Sequence, residues 1–207
     1  MGWRDLIKFL NFLIIISIAV SCGGPAGDEL SDGVGSVDHR IFISSEIYNG
    51  SFSAPNSLTG IAAANANCLR LSQAQGLLRN YKAILSDSTQ TAKERLFITG
   101  AVFTVAGTVA TQITSTTADF WSANTKALLN DIDRDESGSS VNSTEKVWTG
   151  TTVTGGLDAQ TCLNWANSTA GEDGSIGALN SLDGSWIEDA GASSTCSTSH
   201  RIYCISQ

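Results

Sequence analysis

The spacing of apolar residues along the 207-residue chain changes several times, and each change predicts an element. The longest apolar run, Phe9 to Val20, is broken only by Asn11 and Ser17 and is shorter than the roughly 20 residues a membrane-spanning helix needs. Arg40-Ile41-Phe42-Ile43-Ser44 is a short β-branched run between polar neighbours, which predicts a first strand, and Tyr48-Asn49-Gly50-Ser51 predicts a turn. From about Thr59 to Leu78 the apolar spacing becomes three and four. Ile61, Ala64, Cys68, Leu71, Ala74 and Leu78 form the stripe of an amphipathic helix, with Ser57 or Thr59 to cap its start and Gly76 to weaken its end. Tyr81 to Ser86 predicts a strand closed by the Asp87-Ser88 turn, and Thr91 to Leu96 one or two helical turns. Ala101 to Val105 and Thr108 to Ile113, flanking Ala106-Gly107, predict a hairpin. Asp119 to Asn130, with Phe120, Trp121, Leu128 and Leu129, fits either a helix or a loop held by aromatic anchors.

Beyond Val147 the apolar pattern thins into Gly, Ser, Thr, Asn and Asp, yet three of the five cysteines and three of the five tryptophans lie there. So polar a segment does not offset its own ordering entropy by burial alone, which predicts covalent cross-links and a few large aromatic anchors. Trp148, Trp165 and Trp186 are read as those anchors rather than as a ligand platform.

The first 21 residues read as a bacterial export signal, with Arg4 and Lys8 ahead of the apolar run. The run closes in Ala19-Val20-Ser21-Cys22, which resembles a lipobox, with Ala19 where Leu is more usual. An ordinary cleaved signal is the other reading. Lipidation of Cys22 is preferred because this residue ends the apolar run and its removal leaves an even number of cysteines. Residues 22–39 then hold the anchor site and a Gly-, Ser- and Asp-rich tether, whose reach as a coil is on the order of 20–25 Å. Residues 40–207 form the domain.

Charge narrows the classes of partner. The formal net charge is −8 and the sequence pI about 4.6, which argues against a nucleic-acid backbone or another polyanion. Asp131, Asp133 and Asp135 invite a calcium test, since carboxylates at alternate positions can wrap that ion. The sixth and twelfth places of the loop hold Glu136 and Asn142 instead of Gly and Glu, so the segment reads as a solvated acidic turn ending at Gly138. The Asn-x-Ser/Thr triplets at Asn49, Asn142 and Asn167 read as polar surface loops beside a leader of bacterial type.

With Cys22 assigned to lipid, Cys68, Cys162, Cys196 and Cys204 remain, and an exported protein makes disulfides the expected use. Four cysteines allow three pairings, and the sequence by itself leaves the choice open. Zinc is the competing use, but close CxxC spacing is absent and His39 and His200 are the chain's two histidines.

Tyr81-Lys82-Ala83-Ile84-Leu85-Ser86, Val147-Trp148-Thr149-Gly150, Thr161-Cys162-Leu163-Asn164-Trp165 and the closing Cys196 to Cys204 segment resemble the endostatin domain of collagen XVIII and its bacterial relatives. The nearest set is the leptospiral endostatin-like outer-membrane lipoproteins, whose domain is also known as DUF1554. The resemblance spans about Arg40 to Gln207. It implies an α+β, C-type-lectin-like fold of antiparallel strands with one main amphipathic helix, a shorter second helix and two nested disulfides. By that analogy the preferred pairs are Cys68 with Cys204 and Cys162 with Cys196. Endostatin's zinc-binding histidines and heparin-binding arginines have no counterparts here beyond His39. The proline-bearing sugar loop of calcium-dependent lectins is also missing, since no proline follows Pro55; Trp186-Ile187-Glu188-Asp189 is the nearest echo of their Trp-Asn-Asp strand.

Enzymatic activity is not expected: the chain lacks a Gly-x-Ser-x-Gly elbow, a His-Glu-x-x-His helix and a phosphate loop, and His200 has no recognisable nucleophile beside it. No cofactor is implied. What the resemblance implies is a surface-exposed outer-membrane lipoprotein acting as an adhesin-like binding module. Its family partners are host matrix or complement-regulating proteins such as laminin, fibronectin, plasminogen and factor H. The alternative is a structural, envelope-associated lipoprotein with no host ligand.

Overall fold

The computed structural model describes residues 38–105, 109–124 and 126–207. The export signal, Cys22 and most of the expected tether lie outside these residues. In chain order the elements are β1 (His39–Ile43), β2 (Ser53–Ala54), β3 (Leu58–Thr59), α1 (Gly60–Ala74), β4 (Tyr81–Ala83), α2 (Ala92–Arg95), β5 (Val102–Thr104), β6 (Gln112–Thr114) and α3 (Thr117–Phe120). They are followed by β7 (Lys146–Trp148), β8 (Asp173–Ala178), β9 (Ser193–Thr195) and β10 (Arg201–Ser206).

The last strand organises the sheet. One edge of β10 pairs antiparallel with β1, with Phe42 opposite Cys204. Its other edge is shared: Arg201 and Ile202 pair parallel with β7, and Cys204 to Ser206 pair antiparallel with β4. The order runs β6-β5-β1-β10-β7-β8-β9, and β1–β5 and β10–β7 are its parallel pairs. The fold is therefore α+β with a mostly antiparallel sheet.

Period-two alternation sends successive side chains of the central strands into two separate cores. Ile41, Ile43, Tyr203 and Ile205 enter one, with Trp121, Val147 and Trp186. Phe42, Ile202 and Cys204 enter the other, with Tyr81, Trp148, Trp165 and the buried side of α1. Both faces of the central strands are covered, and for that reason these strands carry continuous apolar runs rather than an apolar-polar alternation. Two disulfides cross the second core: Cys68 of α1 to Cys204 of β10, and Cys162 to Cys196, each with Cα atoms 5.6 Å apart.

Several elements differ from their expected bounds. Helix α1 stops at Ala74, so Ile61, Ala64, Cys68 and Leu71 are buried while Ala74 and Leu78 are exposed. Gly76, at φ +70°, turns the chain away after the helix. Thr59 occupies the cap position without a side-chain hydrogen bond to the helix. The Tyr81 strand is shorter than expected, yet Ile84 and Ser86 still donate backbone hydrogen bonds to Tyr203 and Thr149. Thr91 and Glu94 close a reciprocal capping box on α2. The hairpin pairs β5 with β6, whose second strand starts at Gln112; its expected turn, Ala106-Gly107, lies outside the described residues. In 119–130, one short helix ends at Phe120, and Phe120, Trp121 and Leu128 are buried as anchors of the loop that follows.

The acidic segment is not wholly solvated. Ile132 is in the core, and Glu136, 5% exposed, accepts hydrogen bonds from the backbone and hydroxyl of Ser45. Among the described residues no helix is long and apolar enough to cross a membrane.

Candidate functional site

Residues 161–166 build one wall of a cleft, and they do so in an uncommon conformation. Cys162, Leu163, Asn164 and Trp165 all have φ between +50° and +62°, a single left-handed helical turn. For L-residues this costs roughly 1–2 kcal/mol each, because Cβ crowds the following carbonyl. Tertiary restraints hold it. The Trp165 backbone N–H donates to the backbone carbonyl of Thr161 at 2.7 Å, and that of Ala166 to the carbonyl of Cys162 at 3.2 Å. Thr161 Oγ1 accepts from Asn164 N, and Asn164 Oδ1 accepts from Ser88 N at 2.9 Å. Cys162 is tied to Cys196, and Trp165 is fully buried with its indole N–H donating to Ser86 O at 2.8 Å. Gly50 packs so closely that a Cβ there would lie 2.3 Å from Cys162 Sγ, so the sulfur fits only against glycine.

The start of α1 forms the opposite wall. Gly60 opens the helix at φ +60°, and a Cβ on it would lie 2.9 Å from the Asn164 carbonyl oxygen. The absence of a side chain is what lets the helix start meet the left-handed turn. Between them is a cleft of about 580 Å³ whose lining includes Ile61, Asn65, Asp87, Gln90, Arg95, Leu163 and Asn164.

Arg95, from the end of α2, dominates the electrostatics. Its Nη2 donates to the carbonyls of Ala83 and Leu85, and its Nη1 to Asn65 Oδ1 at 3.3 Å, while Nε is buried without a partner among the described residues. Burial pushes its pKa down to about 10, against a weaker opposing effect of the Asp87 charge. Asp87 Oδ1 is occupied by Thr89 and the backbone N–H of Gln90. The cleft thus combines a partly dehydrated guanidinium, a carboxylate, side-chain amides and the apolar Ile61 and Leu163, with Leu163 58% exposed. That lining suits a polar side chain of another molecule with an apolar stem.

The structure places the residues singled out from sequence as follows. His39 and His200 stand at opposite ends of β10. His39 is buried: its Nε2 accepts from Thr99 N at 3.1 Å, so its Nδ1 carries the proton donated to Ser206 O. His200 lies edge-on to Trp148 with ring centroids 4.6 Å apart, and burial, with Lys146 nearby, lowers its pKa. Asp131, Asp133 and Asp135 do not converge. Asp133 lies 3.3 Å from Arg134, Asp135 Oδ1 accepts from Ser137 and Ser139, and burial raises the pKa of Asp131 ahead of the effect of Asp133. Among the described residues no group of three or more His, Cys, Asp or Glu is placed to hold a metal ion. Trp148 and Trp165 pack 5.9 Å apart in one core, and Trp186 packs with Phe120 and Tyr203 in the other.

The sequence reading named no ligand-contacting residues, and it missed Arg95 and Gly60. The available signal was slight: Thr161-Cys162-Leu163-Asn164-Trp165 reads as ordinary helix-compatible residues, and nothing local marks the left-handed turn. No protein-family model and no curated protein matches this chain.

Proposed function

We propose that this chain is an exported, lipid-anchored binding module of the endostatin-like, C-type-lectin-like kind, which takes hold of a partner protein at the cleft beside the left-handed turn. The observation that carries the reading is the turn itself. Four consecutive non-glycine residues are kept in a strained conformation: Cys162 and Trp165 are buried beneath it, while the exposed Leu163 and Asn164 line the same cleft as a partly dehydrated guanidinium. Strain of this kind persists where surrounding structure over-determines it, and it concentrates at ligand clamps and functional sites.

Two further features support the wider reading. The cysteines of the domain pair with one another, Cys68 with Cys204 and Cys162 with Cys196, which leaves Cys22 at the end of the apolar run with no thiol partner in the domain. The pairs join the main helix to the last strand and close the polar loop region within that span, the nested arrangement the resemblance implies. The expected partners remain laminin, fibronectin, plasminogen and factor H, displayed to from the outer surface of the outer membrane.

Solid-phase binding of the purified, oxidised protein to these four partners tests the reading. Saturable binding to at least one at sub-micromolar concentration is expected, weakened by about tenfold in Leu163→Asp, the ~1.4 kcal/mol scale of one good contact, and unchanged in Leu182→Asp. Uniform absence of binding would favour the structural, envelope-associated alternative. Binding indifferent to Leu163→Asp would move the contact away from the cleft.

A further inference from the structure

The two most exposed large apolar side chains among the described residues belong to segments that meet. Leu78 is 83% exposed and Phe97 79% exposed, far beyond what a large apolar residue on a loop needs. Gln207 joins their segments: its backbone N–H donates to Asn80 O at 2.8 Å, and its side-chain oxygen accepts from Phe97 N at 3.0 Å. The chain enters the domain at the same place. Arg79 Nη1 donates to the carbonyl of Asp38, His39 N donates to Ala101 O at 2.8 Å, and His39 Nε2 accepts from Thr99 N.

This end also departs from the charge of the whole. Residues 38–41, 76–83, 96–101 and 204–207 carry Arg40, Arg79 and Lys82 against Asp38, a formal +3 − 1 = +2, while the whole chain carries −8. Exposed Leu and Phe side chains flanked by cations match the boundary of an anionic bilayer, where apolar groups enter the acyl region and Lys or Arg meet lipid phosphates.

We infer that this end of the domain, with Leu78 and Phe97 as its apolar contacts and Arg79 and Lys82 on the Leu78 segment as its cations, is a lipid-contacting face. The inference rests on the lipid anchor proposed for Cys22. Fifteen residues, 23–37, lie between Cys22 and Asp38. At the coil reach of about 20–25 Å expected for that composition, the anchor is shorter than the roughly 40 Å breadth of a domain of this size, so the end that receives the tether stays nearest the bilayer. Helix α1 runs about 20 Å from the cleft at its start to Leu78 beyond its end. A domain resting on the Leu78–Phe97 face therefore holds the cleft away from the lipid, open to a partner.

The test uses the full-length lipidated protein in vesicles of phosphatidylethanolamine and phosphatidylglycerol containing lipids brominated along the acyl chain. Phe97→Trp places a reporter on the proposed face and Leu163→Trp one at the cleft. The tryptophans at 121, 148, 165 and 186 are buried and set a common background. Bromolipid is expected to quench the Phe97→Trp signal at least about twofold more than the Leu163→Trp signal, and adding Arg79→Gln and Lys82→Gln to Phe97→Trp should reduce that quenching. The mass of the Cys22 peptide, measured on the same preparation, separates the two ideas. A lipidated Cys22 with equal quenching at both reporters would overturn the lipid face alone, whereas an unmodified Cys22 would overturn the anchor and the face with it.

Discussion

His200 shows how a single side chain ties this fold to pH. Its ring is packed against Trp148, its Nε2 is buried without a hydrogen-bond partner among the described residues, and burial first, Lys146 second, lowers its pKa below the ordinary 6.5. The unfolded chain takes up the proton near pH 6.5 and the folded one only at lower pH, so the unfolded state binds more protons in between. The stability contributed by neutral His200 is thus full above pH 6.5 and is lost as pH falls through the folded-state value. Urea midpoints measured from about pH 7.5 down to pH 5.5 should fall, and His200→Gln should flatten that part of the curve; a parallel fall in the variant would assign the effect to other groups. At the same scale, the three Asn-x-Ser/Thr triplets have a local explanation. Asn49, Asn142 and Asn167 each accept a hydrogen bond from the backbone N–H two residues on, the Ser or Thr of the triplet, closing a turn.

Among the elements, the left-handed turn is the one whose sequence and conformation disagree. Leu163 gains little from burial at 58% exposure and sits at φ +53°. Replacing it with glycine relieves roughly 1–2 kcal/mol of backbone crowding and adds back roughly 0.5–1 kcal/mol of unfolded-state entropy. Leu163→Gly should therefore raise the melting temperature by about 1–3 °C, where the same change in an ordinary exposed helix would lower it. A lowered melting temperature in calorimetry would contradict the left-handed assignment. Helix α1 teaches the converse lesson. Its three-and-four spacing is legible from Ile61 to Leu71, but Ala74, the last helical residue, is already exposed, and Leu78 continues the spacing past the point where Gly76 turns the chain. A pattern of apolar spacing reports what could be buried, while the end of a helix is set by what lies beyond it.

For the whole molecule, the two disulfides have different tasks. Cys68–Cys204 closes a span of 136 residues and joins the main helix to the central strand, which by chain entropy alone stabilises by roughly 5 kcal/mol. Cys162–Cys196 spans 34 residues, is worth roughly 4 kcal/mol on the same basis, and also fixes the strained turn at the cleft. Replacing Cys68 and Cys204 together by Ala should lower the unfolding free energy without changing partner affinity in the protein that remains folded. Replacing Cys162 and Cys196 together should weaken binding as well. Denaturation and binding measured side by side on both double variants would separate these roles; equal losses of affinity would deny the turn its special place.

The sequence by itself determined what depends on neighbours along the chain. Short β-branched runs such as Ile41 to Ile43, the three-and-four spacing of α1 and the helical turns near Thr91 to Leu96 are local, because each is fixed by backbone geometry over a few residues. It also signalled that the polar last third needs cross-links and tryptophan anchors, since entropy and burial can be weighed from composition. Only the tertiary structure decided that β10 holds β1 on one edge and shares the other between β7 and β4, that Glu136 is buried against Ser45, and that Arg95 stands beneath a cleft. The left-handed turn belongs with these: of residues 162–165 only Asn164 has any local preference for that conformation, and the four adopt it because a disulfide, a buried indole and two glycines from distant parts of the chain hold them there.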